Sequence, residues 1–99
     1  MNLQTLPGLF ISHGSPMLAL NPEQVGPALE RLSVNLPKPE AIVVMSAHWE
    51  SNALEVSSSV RPETWHDFRG FPAELYEMRY PAPGQPELAE EILHLLANA

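Results

Sequence analysis

Three histidines in this 99-residue sequence stand where imidazole chemistry would be useful. His13 lies in "LFISHGSP" and His48 in "AIVVMSAHWES". In both stretches an apolar run stops at a serine, and a histidine follows at once or one residue later. Neutral imidazole is the commonest metal-binding side chain. Two imidazoles and one further ligand suit zinc or ferrous iron and leave positions open for a substrate. Taken singly, each histidine reads as well as a loop cap. The pair carries the argument, because two strands that end alike deliver two rings to one place.

The third histidine, His66, sits beside Asp67 in "TWHDFRGFP". A histidine next to an aspartate suits acid-base work or a loop cap. Arg69 can pair with an anionic group of a substrate or with Asp67 itself. Trp65, Phe68 and Phe71 would form an aromatic wall around them. His94 falls off the apolar face of the last helix and reads as a surface residue. Ser12 and Ser15 flank His13, yet no G-x-S-x-G elbow is present, and adjacent residues of an extended chain point apart. A serine hydrolase does not fit.

The elements that must position these groups are short. Gly8 to Ser12 reads as an apolar strand. Asn21, Pro22 and Gln24 read as a helix start, with Asn21 the N-cap. Val25, Ala28, Leu29, Leu32 and Leu36 follow the spacing of one buried helix face. Gly26-Pro27 disturbs that rhythm, so either the first turn is irregular or the regular helix begins at Pro27. Pro37 and Pro39 end it. Glu40 to Ala47 is a second strand whose "IVVM" core has no polar alternation, which places it inside a sheet covered on both faces. Strand, helix, strand makes a β-α-β unit with parallel strands and a right-handed crossover. His13 and His48 then lie past the carboxyl ends of parallel strands, the edge where open α/β sheets bind ligands. Leu54 to Ser57 alternates and reads as a third strand, and Val60 to Gly70 as a loop. Phe71 to Met78 reads as a short helix, Pro81 to Gly84 as a rigid turn, and Pro86 opens a last helix with Leu88, Ile92, Leu95 and Leu96 as its stripe.

Composition narrows the classes. The chain has room for one small domain. Hydrophobic residues make up 44% of it, too many for a disordered segment. No cysteine is present, which excludes a disulfide scaffold and a thiolate metal site. With 5 Lys and Arg against 12 Asp and Glu, the net charge of -7 argues against nucleic acid and anionic membrane as partners. No apolar run approaches the roughly 20 residues of a membrane span. "MNLQTLPG" lacks the basic start and apolar stretch of a signal peptide, so the cytoplasm is the expected compartment. The 11 prolines punctuate short elements joined by stiff loops.

Several segments taken together, "LFISHGSPM", "LPKPEAIVVMSAHWE", "HDFRGFPAELYEMRYPAPG" and the helix after them, resemble the class III extradiol ring-cleavage dioxygenases. Within these the sequence is most similar to the 4,5-DOPA extradiol dioxygenase-like branch of the LigB-type catalytic subunit superfamily. The likeness runs in order from about Gly8 to Leu96. It implies an α/β fold, here a partial three-layer arrangement with a mostly parallel sheet flanked by helices. It implies a non-haem metal, Fe(II) by expectation and zinc in some members. It also implies a reaction in which molecular oxygen opens a catechol, such as DOPA, next to its diol. The histidine of the family's "HGSP" segment is a metal ligand and matches His13. That of "SAHW" is a second ligand and matches His48. "HDF-GFP" lies near the substrate pocket and matches His66 to Pro72, so His66, carried over as a pocket residue, is the catalytic candidate of this chain. Ser12, Ser46 and Glu50 are the candidates for holding the ligand imidazoles in orientation.

The departure from the family is length. Its members are much longer, and their third metal ligand and catalytic base lie in the later part. Residues 1–99 therefore look like the N-terminal part of such a domain, inactive without the rest. Two other readings stand beside this one. The chain is a non-catalytic α/β fragment that self-associates through open sheet edges, or a zinc-dependent hydrolase.

Overall fold

The computed structural model of this chain describes residues 5–99. The opening "MNLQ" of the segment read above for a leader lies outside the described residues. The chain divides into two compact units. One comprises residues 5–44 and Phe68–Glu77; the other comprises Met45–Asp67 and Met78–Ala99.

In the first unit, Gly14 takes a left-handed backbone (φ 67°), which glycine adopts without the steric penalty of a side chain. This turns the chain after His13 into a single 3₁₀ turn, Pro16–Ala19. Ser15 caps that turn, its hydroxyl accepting the Met17 N–H at 3.0 Å. Helix α1 spans Val25–Val34. The expected cap at Asn21 is not used; the N-cap is Gln24, with no side-chain bond. A tight turn through Glu23 precedes the helix, and the Gly26 N–H donates to the Pro22 carbonyl at 2.9 Å. A Cβ on Gly26 would come within 2.3 Å of the Pro22 Cβ, so the close turn calls for glycine there. Pro27 then falls in the first helical turn, where N–H groups lack intrahelical partners, and its missing donor is harmless. Leu29, Leu32 and Leu36 are half-buried, whereas Val25 and Ala28 are exposed. The helix ends before the prolines: Asn35 donates its side-chain amide to the Arg31 carbonyl at 2.9 Å.

Helix α2, Ala73–Glu77, packs on the 3₁₀ turn and carries Leu75, only 3% exposed. Beside it Phe68 meets Phe71 edge-on at 5.3 Å and Tyr76 at 4.9 Å. The Tyr76 hydroxyl donates to the Phe68 carbonyl and accepts the Phe71 N–H. Trp65 is 63% exposed, and Tyr76, unmarked by the sequence reading, is the third ring of this cluster.

In the second unit two chain segments run antiparallel. The Gly84 N–H donates to the Val60 carbonyl at 2.9 Å, the Tyr80 N–H to the Thr64 hydroxyl at 2.9 Å, and the His66 ring to the Met78 carbonyl at 2.7 Å. These pairs keep one register, each step forward in one segment matched by a step back in the other. Helix α3, Pro86–Ala97, opens on Pro86 as expected, with Glu87 in its first turn. Ala89 is its buried residue and Leu88 and Ile92 are half-buried, while Leu95 and Leu96 are exposed. The packed stripe thus ends at Ile92. No helix among the described residues is long and apolar enough to cross a membrane.

No strand is formed among the described residues. The segments expected as strands run without ladder partners. Ile42, Val43 and Val44 are 74%, 66% and 77% exposed. A strand exists only through hydrogen bonds to a neighbour, and one that is apolar on both faces needs cover on both.

Candidate metal centre

The structure sets out the three histidines by their hydrogen bonds. His13 lies in the first unit, just before the left-handed Gly14, and is exposed. Its Nδ1 is 2.7 Å from the Gly14 carbonyl oxygen. A carbonyl only accepts, so Nδ1 carries the proton. In the neutral ring Nε2 then bears the lone pair.

His48 lies in the second unit, in a turn that Ser46 organises. The Ser46 hydroxyl accepts the His48 N–H at 3.1 Å, and the Ser46 carbonyl accepts the Trp49 N–H at 3.3 Å. The ring turns to Asp67: Nδ1 stands 2.7 Å from Oδ2. A carboxylate accepts, so Nδ1 again holds the proton and Nε2 again holds the lone pair. Both side chains are exposed, at 68% and 62%.

His66 is the opposite case. Its Nε2 is 2.7 Å from the Met78 carbonyl and must donate. This half-buried ring therefore differs in tautomer from the other two, and it is tied into the antiparallel pair of segments. His94 is exposed on α3, where its carbonyl accepts the Asn98 amide, as a surface residue would.

This pattern fits the donor chemistry of a metal. Neutral imidazoles bind through one nitrogen while the other donates to a carbonyl or carboxylate. His13 and His48 would meet that requirement with Nε2 as the ligating atom, and His66 with Nδ1. Among the described residues no three His, Cys, Asp or Glu side chains converge into a set that could enclose a metal.

The sequence reading missed the partner of His48. Ser46 holds the backbone of His48 and not its ring, and Asp67 turns to His48, not to Arg69. Nothing in the spacing announces a contact across nineteen positions. A shallow cavity of about 150 Å³, lined by Trp49, Ser51, Ala53, Leu54 and Glu55, lies below the roughly 300 Å³ at which small-molecule sites begin.

Comparison with known proteins gives these residues their context. The chain is 45% identical to the 4,5-DOPA dioxygenase extradiol of Escherichia coli (strain K12), over 98% of its own length and 36% of that protein. It is 47% identical to the 4,5-DOPA dioxygenase extradiol of Beta vulgaris, over 91% of its own length and 35% of that protein. It is 34% identical to the dioxygenase tasH of Hapsidospora irregularis, over 86% and 30% respectively. The chain thus spans about a third of the length of these curated relatives. No solved structure matches it. The profile of the family described as the catalytic LigB subunit of aromatic ring-opening dioxygenase matches residues 7–99, and the chain belongs to that family.

Proposed function

We propose that this chain carries two metal ligands, His13 and His48, of an extradiol dioxygenase that opens a catechol such as DOPA with molecular oxygen. The observation that carries this reading is the shared tautomer of the two rings. Each donates from Nδ1 and keeps Nε2 for a metal, within a chain of this family. The relatives' name, 4,5-DOPA dioxygenase extradiol, supports the substrate class. Fe(II) is the expected metal and Zn(II) the alternative; bound iron supplies the redox chemistry that lets oxygen react with the ring. The protein's part is to supply His13 and His48 as neutral imidazole ligands. His66, tied to the Met78 carbonyl, is the pocket residue that the resemblance implies.

The same reading extends to the fold. "IVVM" and "LFI" are apolar on both faces and exposed here, which supports an α/β sheet completed by segments outside these 99 residues.

The test is a titration of the 99-residue chain with Co(II), a spectroscopic stand-in for iron or zinc. Weak binding is expected in the wild type and none in the His13→Ala, His48→Ala double variant. Equal affinity in the two overturns the ligand assignment.

A further inference from the structure

We propose that Asp67 is the positioning residue of His48, its carboxylate fixing the imidazole so that Nε2 faces the metal. This rests on the ligand reading above and deepens it. The contact is 2.7 Å long and joins residues nineteen positions apart, so it is not a local consequence of the turn at Ser46. That turn already holds the main chain, since the Ser46 hydroxyl accepts the His48 N–H. Asp67 adds the second constraint, on the ring. His48 is thus held at its main chain and at its ring, whereas the His13 ring relies on the carbonyl of its own neighbour, Gly14.

A polar contact this exposed, 68% and 62%, contributes between nothing and about 1 kcal/mol to folding. Its removal leaves the chain folded. Its value lies in tautomer and direction: without a partner on Nδ1 the ring can protonate at either nitrogen and rotate. In metal sites, loss of such a carboxylate behind a ligand histidine typically lowers metal affinity about 10- to 100-fold.

The experiment uses the full ¹⁵N-labelled chain at pH about 8, above the ordinary histidine value of about 6.5. Long-range ¹H–¹⁵N spectra report which ring nitrogen of His48 is protonated, and a Co(II) titration reports affinity. In the wild type and in Asp67→Asn, whose amide oxygen still accepts, His48 shows Nδ1–H. In Asp67→Ala the proton moves toward Nε2 and Co(II) binds about tenfold or more weakly. An unchanged tautomer in Asp67→Ala overturns the proposal. So does a changed tautomer with unchanged Co(II) affinity, when the His13→Ala, His48→Ala variant abolishes binding. If that double variant binds Co(II) like the wild type, the ligand reading fails and Asp67 loses its metal role with it, while the tautomer spectra still report the contact.

Discussion

The Nε2 of His66 ends on the carbonyl of Met78, 2.7 Å away, and so a histidine read from sequence as a pocket residue is also a structural clasp. It closes one end of the antiparallel pair of segments whose other end is the bond from Gly84 to Val60. The carbonyl it satisfies is a main-chain acceptor, and the ring that satisfies it is half-buried. This combination separates His66 from His13 and His48, whose rings are exposed and donate from Nδ1.

Replacing His66 with alanine removes the hydrogen bond to the Met78 carbonyl. The expected loss of stability is about 1 kcal/mol, in the ordinary range for one such bond. His66→Gln keeps a donor and loses less. Urea denaturation of the two variants and the wild type checks the order. A His66→Ala variant as stable as the wild type would show that the clasp holds nothing.

Gly84 offers a sharper case. A Cβ there would lie 1.8 Å from the Ser59 carbonyl oxygen, and that atom is backbone, which cannot move aside without opening the turn. Gly8, by contrast, has nothing within 4 Å of an added Cβ. Gly84→Ala is expected to push the two segments apart, with faster hydrogen exchange at the Gly84 position and at Tyr80. Gly8→Ala is expected to leave exchange in this unit unchanged. Equal exchange in both variants would contradict the close approach.

These cases show what could be read from the letters. Pro86 announces a helix start because its fixed φ suits the first helical position, and α3 begins there. Gly26-Pro27 is legible as a disturbance but not as a resolution, because the turn through Glu23 depends on a left-handed residue that is not glycine. The pairing of segments 60–66 and 78–84 was invisible. It is built partly from the side chains of Thr64 and His66, which leave no alternating pattern. His13 and His48 were picked out by the apolar runs before them, a local signal. Asp67 behind His48 was not, because a contact across nineteen positions is set by the fold and not by spacing. The aromatic cluster was half legible: Phe68 and Phe71 stand in one motif, and Tyr76 joins them only once α2 forms. The apolar run before His48 forms no strand among the described residues, because a strand exists only through bonds to a neighbour.

That run yields the last prediction, argued against Leu75. Leu75 is 3% exposed, so Leu75→Ala removes buried methyl groups and leaves a gap beside the 3₁₀ turn. Core truncations of this kind cost about 2–5 kcal/mol, and the low end is expected for a helix as short as α2. Val44 is 77% exposed, and Val44→Lys changes stability by no more than about 0.5 kcal/mol. Its effect lies elsewhere. Ile42, Val43, Val44 and the 99%-exposed Met45 form an uncharged, β-prone stretch open to solvent, the kind that pairs between chains. A lysine in it adds charge repulsion and solvation to any such pairing. Sedimentation velocity across a concentration series is therefore expected to show less association for Val44→Lys than for the wild type, while urea midpoints of the two agree. A Val44→Lys variant that unfolds as readily as Leu75→Ala would mean that the stretch is buried in solution, and the exposed-edge account would fall.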